Sequence, residues 1–227
     1  MLYSYERMND IATVQRPSSS PSGKRGAATR ATLLASGRKV FARRGFDGAS
    51  IREITRGASA NLGAITYHFG SKRGLYEAVL KDALSPLVDR VGAVASGEGT
   101  PLARLGNVVD VFFDHLAKHP DIPRLLLQEI AAGKTPPAEV LAIIRLNVGH
   151  LASILEEGRA EGSIRPGHTL LSGLSVVSQP IYMTIVAPVM KEVAGIDLAD
   201  PATRSAVAQH VKAFVHAGLA AREEAEA

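Results

Sequence analysis

Side chains with chemical potential fall in three places along this 227-residue chain. His115 and His119 stand four residues apart beside Asp114, a spacing that can bring two imidazoles to one metal ion. No third ligand accompanies them and Pro120 ends their helix, so a solvated or hydrogen-bonded pair and no metal are expected. Glu156-Glu157 reads as an exposed acidic step rather than an acid/base pair. The third place is Ser50 to Lys72, "SIREITRGASANLGAITYHFGSK", which gathers hydroxyls, an amide, a phenol, an imidazole and basic groups. No acid occurs between Glu53 and Glu77, so this stretch suits the binding of an anion rather than the making of bonds.

The elements that must position these groups read as helices. Residues 1–26 form an arm: "RPSSSPSGKRG" is rich in Ser, Pro and Gly and has no apolar period. Gly23-Lys24 lacks the upstream glycine and following Ser/Thr of a phosphate loop. From Ala28 a helical period sets Leu33, Leu34, Val40 and Phe41 on one face, and Gly45 stops it. Ser50-Ile51-Arg52-Glu53 reads as a capping box, with Ile51 and Ile54 turned toward the first helix. A short turn at Ser59 leads to a helix capped by Asn61 and anchored by Ile65, and Ser71 caps a fourth. Longer amphipathic helices follow at about 100–118, 121–132, 136–161, 168–194 and 201–223, separated by Pro and Gly. No sustained strand alternation occurs, so the fold class expected is all-α: an arm (1–26), a small head (27–80) and a larger helical body (81–227).

Charge separates head from body. Residues 1–80 hold 13 Lys/Arg and 5 Asp/Glu, net +8, whereas the remainder holds 13 and 17, net −4. The absence of cysteine excludes disulfides and thiolate metal sites. Hydrophobic residues at 46% supply a sizeable core. Two helices joined by a turn of three or four residues, the second short and polar on one side, make a helix-turn-helix. Such a unit fits a helix into the major groove of double-stranded DNA while its neighbour braces on the backbone.

"SIREITRGASANLGAITYHFGSKRGLYEAVL" and the preceding "ATRATLLASGRKVFARRGFDGAS" resemble the N-terminal domain of the TetR/AcrR family of bacterial transcriptional regulators. The resemblance spans about Thr29 to Leu80. It implies phosphate contacts from Ser50, Arg52 and Lys72, and backbone contacts from Tyr67 and His68. Asn61, Leu62, Gly63, Ala64 and Thr66 would occupy the exposed side of the recognition helix, with Ile51, Ile54, Ile65 and Phe69 structural. Two departures stand out. Ser59 replaces the usual turn glycine, and Thr55 replaces a small residue.

The resemblance further implies a homodimer through helices 168–194 and 201–223, on a pseudo-palindromic operator, in the cytoplasm of a bacterium. It also implies a small, largely hydrophobic organic effector in the body and no cofactor. Phe112, Leu116, Leu126, Gln128, Asn147, His150, Gln179, Tyr182 and Met183 supply the mixed apolar and polar lining expected of that pocket. His168 to Met190 carries no Asp, Glu, Lys or Arg and has the length of a membrane span. Its Gln, Ser and Pro content favours a helix buried at a subunit contact, and no membrane partner is expected. The alternatives are a nonspecific DNA-packing protein, which would not need so large a body, and a helical enzyme, for which no motif exists.

Overall fold

Gly45 adopts φ 67° and ψ −179°, a backbone setting open to glycine, and so breaks the first helix before its last turn. The computed structural model describes residues 21–221. Among these, nine helices follow in order: α1 (Pro21–Gly48), α2 (Ile51–Gly57), α3 (Gly63–Phe69), α4 (Lys72–Ala95), α5 (Pro101–Lys118), α6 (Ile122–Ala131), α7 (Ala138–Ala160), α8 (Thr169–Ala194) and α9 (Pro201–Leu219). The sole extended pairing among the described residues is one bridge, Ile164 to Ala220. The fold is all-α, and α5 to α9 fall within a few residues of their sequence-read spans.

Three starts match their chemistry. Ser71 Oγ accepts from the Gly74 amide at 3.0 Å, Thr100 Oγ1 accepts from Ala103, and Asp200 accepts from Thr203. The arm is shorter than expected. Helix α1 already begins at Pro21, which takes in residues 21–26, while the rest of the arm lies outside the described residues.

Two apolar cores are stacked end to end. The first joins Leu33, Phe41, Ile54, Ile65, Leu75, Tyr76 and Leu80 to Ile122, Leu125, Val140 and Ile143 from α6 and α7. The second is built from α5, α7, α8 and α9 around Val108, Phe112, Ile154, Val176 and Val211. Helix α4 serves both, with Leu75 to Leu84 in the first and Leu87 and Val91 in the second. The division drawn at 80/81 therefore falls inside one continuous helix.

Helices α7 and α8 are each long and apolar enough to cross a membrane by length and hydropathy. Helix α7 packs against α4, α5 and α8. Within the single chain, helix α8 is buried along one face. It buries Gly173, Val176, Pro180 and Thr184 and leaves Leu170, Leu171, Leu174, Val189 and Val193 exposed.

Candidate nucleic-acid interface

Helix α2 starts at Ser50 in extended backbone, but the capping box does not form. Glu53 turns instead to α1, where it accepts from Arg43 at 2.9 Å and lies 3.7 Å from Arg44. Two cations on a neighbouring helix outcompete one backbone amide. The Ser50 hydroxyl consequently makes no cap bond and is exposed. Arg52 is exposed and has no ion pair among the described residues, and Arg56, which the sequence reading passed over, is the same. Ile51 is 37% exposed rather than turned into the core. Ile54 and Thr55 are the residues α2 buries, and Thr55 satisfies its hydroxyl on the Ile51 carbonyl at 3.0 Å.

The turn after α2 is tight because Ser59 takes φ 51°, the one non-glycine residue at positive φ among the described residues. This lets the Ala60 amide donate to the Thr55 carbonyl at 2.9 Å and closes the helix end. A left-handed serine costs about 1–2 kcal/mol. Helix α2 also runs close beneath α1. Ser36 Oγ donates to the Ile54 carbonyl at 2.7 Å, and a Cβ on Gly57 would lie 2.5 Å from that oxygen. Nothing in the local pattern marks this approach; only the pairing of a buried serine with a glycine on the next helix hints at it.

Helix α3 buries Ile65 and half-buries Ala64 and Phe69 against the first core, so Ala64 faces inward more than expected. Asn61, Leu62, Gly63, Thr66 and Tyr67 are exposed, Tyr67 to 84%. Asn61 does not cap with its side chain: Leu62 holds the cap position, and the Ala64 amide donates to the Asn61 carbonyl. The Asn61 amide group is thus left for other partners. His68 is half-buried, its ring edge-on to Tyr67 at 4.8 Å. Helix α3 then abuts α4 so closely that a Cβ on Gly74 would sit 2.1 Å from the Phe69 carbonyl oxygen. Lys72, in the first turn of α4, donates to the Asp47 carbonyl at 3.2 Å and lies 4.8 Å from the Phe46 ring centre.

The head is bolted to the body through α6 and its approach. Arg38 makes a two-pronged contact with Asp121, at 3.0 and 2.7 Å, and donates to the Lys118 carbonyl. Burial works against the Asp121 charge, yet Arg38 holds that carboxyl below its usual range. Arg73 reaches Glu129 at 2.8 Å, and Lys134 reaches Asp47 at 2.7 Å.

The nine residues assigned to a ligand pocket do not converge. Phe112, Leu116 and Met183 belong to the second core, and Leu126 packs on the first. Gln128 is exposed and points its oxygen at Gly45 of the head. Asn147 is buried and donates to the Ile143 carbonyl, and His150 packs against Gly92 of α4. Tyr182 is 64% exposed in the single chain. Gln179 borders a groove between α8 and α9, beside Phe214. Leu116 borders a cavity of about 350 Å³ where α5, α6, α8 and α9 meet, lined also by Phe113, Pro188, Arg124 and Arg204. For Gln179, Tyr182 and Met183 the reason is rotational: the apolar residues of α8 spread around its axis, so its sequence gives no single inner face.

His115 and His119 stack with ring centres 4.6 Å apart. Burial, then His119 and Arg90, push His115 down to about 4, and burial with Arg38 lowers His119. No group of three His, Cys, Asp or Glu is placed to hold a metal among the described residues.

Known proteins share this arrangement. Residues 33–79 match the family model for bacterial regulatory proteins of the tetR family, and residues 101–215 match that for the tetracyclin repressor-like C-terminal domain. The HTH-type transcriptional repressor NicS of Pseudomonas putida is 30% identical over 142 residues, 60% of this chain and 66% of NicS, just short of two thirds of its length. The repressor KstR2 of Mycolicibacterium smegmatis is 28% identical over 143 residues, 62% of this chain and 69% of that protein. Among solved structures, the ketosteroid transcriptional regulator KstR2 of Mycobacterium tuberculosis superposes with a TM-score of 0.65 at 22% identity, over 85% of this chain and 95% of that one. FadR of Bacillus subtilis, in complex with stearoyl-CoA, gives 0.67 at 17% identity, over 83% and 98%. These two likenesses carry the fold. With a helix-turn-helix head on a larger helical body and both parts matched, the chain belongs to the tetR family of bacterial regulatory proteins.

Proposed function

We propose that this regulator is a homodimeric repressor that binds a pseudo-palindromic operator and is released by a small organic effector. The observation that carries the DNA reading is the outer surface of α2 and α3. Ser50, Arg52, Asn61, Thr66 and Tyr67 are exposed there, free of acids, while Ile54 and Ile65 anchor the two helices from within. In this reading Ser50, Arg52, Tyr67, His68 and Lys72 hold the DNA backbone. Asn61, Leu62, Gly63 and Thr66 follow the base edges, with Ala64 at their inner margin, partly through methyl contacts and groove shape. The functional division remains 27–80 for DNA and 81–227 for ligand and dimer, with the site of action on bacterial DNA in the cytoplasm.

Dimerisation is assigned to α8 and α9. The exposed Leu171, Leu174, Tyr182, Val189 and Phe214 would otherwise present an apolar surface to water. Two-fold pairing suits two heads about one helical turn, roughly 34 Å, apart. The effector reading draws on relatives that include a ketosteroid regulator and a regulator in complex with stearoyl-CoA. Its place in this chain is the cavity between α5, α6, α8 and α9. An effector that releases DNA must favour the non-binding arrangement of the heads over the binding one.

Selection of bound DNA from a random library tests the reading. An inverted-repeat site should emerge, and a footprint on it should be protected in two half-sites. Equal binding to every sequence would instead support the DNA-packing alternative.

A further inference from the structure

We propose that the cavity between α5, α6, α8 and α9 takes a compact organic anion, its carboxylate held by Arg124 and Arg204 and its apolar body against Phe113, Leu116 and Pro188. This rests on the effector reading above and gives the effector a chemical class. Phe113 and Leu116 are core residues of α5 that form the apolar floor, so the cavity rewards an apolar body. Its volume, about 350 Å³, lies at the lower end of the range ligand sites occupy, which suits a short chain or a single ring.

The charges choose the other end of the molecule. Three cations line the cavity, Arg124, Lys191 and Arg204, against one acid, Asp197. Lys191 and Asp197 satisfy each other at 2.7 Å. Arg204 donates through Nη1 to the carbonyls of Leu198 and Ala199, at 2.9 and 3.5 Å, and meets no carboxylate within ion-pair distance among the described residues. Arg124 has neither an ion pair nor a hydrogen bond there. Two guanidinium groups without a counter-charge, on the rim of an apolar cavity, favour a carboxylate and oppose an amine.

The same geometry couples the site to the head. Arg124 and Glu129 ride on one helix, α6, and Glu129 is the partner of Arg73 at the start of α4. An anion shared by Arg124 and Arg204 ties α9 to α6, the helix that also carries the partner of Arg73.

Calorimetric titration of the full-length protein with phenylacetate and octanoate, their primary amides, and phenethylamine tests this. The two acids should bind, and the amides and the amine should bind at least about tenfold more weakly. Arg124→Gln and Arg204→Gln should each weaken acid binding about tenfold or more. Arg204 also holds the loop after α8, whereas Arg124 holds nothing, so R124Q should keep the thermal midpoint of the parent. Amides binding as tightly as acids, R124Q keeping full affinity, or no acid binding at millimolar concentration each overturns the proposal. Operator affinity measured in the same samples separates the readings. Acid binding that leaves it unchanged upholds the site and counts against the effector reading, and failure of the ligand-free protein to select DNA counts against the regulator reading alone.

Discussion

Arg73 on α4 and Glu129 on α6 meet at 2.8 Å, with only 5% of the glutamate side chain open to solvent. One cation thus neutralises an acid that the fold has taken out of water. The same arginine also reaches Glu77, one turn along α4, at 3.1 Å. Removing it strands the buried carboxylate. Because Arg73 itself is partly exposed, water will offset part of the loss, and Arg73→Ala should cost about 1–3 kcal/mol. Glu129→Gln in the same chain should recover much of that. Urea unfolding of the two single variants and the double variant measures the coupling, and additive losses would show that the pair contributes nothing of its own.

Positioning and reading of DNA should separate by residue. Lys72→Ala should weaken binding to all sequences and lower the salt slope by about one unit. Tyr67→Phe should also act on every sequence alike. Asn61→Ala and Thr66→Ala should instead shift preference among operators, by about 1–3 kcal/mol where a base contact is lost. Fluorescence anisotropy on the selected site and on random DNA, over a range of salt, distinguishes the two patterns.

The contact of α1 with α2 predicts a specific rescue. Gly57→Ala drives its Cβ to 2.5 Å from Ser36 Oγ, and overpacking of this kind costs about 1–3 kcal/mol. Adding Ser36→Ala removes the obstructing oxygen and should restore part of the stability. At Gly74 the obstruction is the Phe69 carbonyl of the backbone, at 2.1 Å, so no side-chain change can relieve Gly74→Ala. Thermal melts of the three variants report both outcomes.

Acid should weaken the fold through His115. Its folded value, about 4, lies below the ordinary 6.5, so the unfolded chain takes up the proton first. Stability is therefore full above about pH 6.5 and falls as pH drops toward 4, by no more than about 3 kcal/mol from this group. Asp121, lowered by Arg38 from the ordinary 3.8, loses its contribution in a separate window at lower pH. His115→Gln should reduce the slope between pH 6.5 and 4, leaving the part His119 supplies and the more acidic limb in place, as denaturation across pH will show.

A charge on the outer face of α8 should separate the subunits. Leu171→Glu or Leu174→Glu places a carboxylate in the proposed dimer contact, where both residues are exposed in the single chain. Sedimentation should change from dimer to monomer while circular dichroism is preserved, and operator affinity should drop with it.

Local chemistry made much of this legible in the sequence. Ser71 followed by a helical run, Gly45 after a basic turn, and the Pro and Gly breaks in the body all act within a few residues, and the helices start and stop near them. The backbone of Ser59, at φ 51°, was not legible: a serine does not announce a left-handed turn as a glycine does. Nor was competition at a distance. Glu53 has a backbone amide beside it in sequence, but two arginines of another helix beside it in space. The lining of a pocket is hard to read for a related reason. Tyr182 and Gln179 gain an inside or an outside only when α8 settles its rotation against α5 and α7.

Helix α4 joins body to head as a single helix, with Pro86 in its interior. Its 24 residues span about 36 Å, with one end in the core of the body and the other against α3. A tilt of about 5° at the inner end, too small to disturb side-chain packing there, would swing the far end by about 3 Å along that length. Successive bases on one strand lie about 3.4 Å apart. A displacement no larger than a bond or two inside the body thus emerges at the head as nearly a full step along the duplex, and in a two-fold pair the error is doubled.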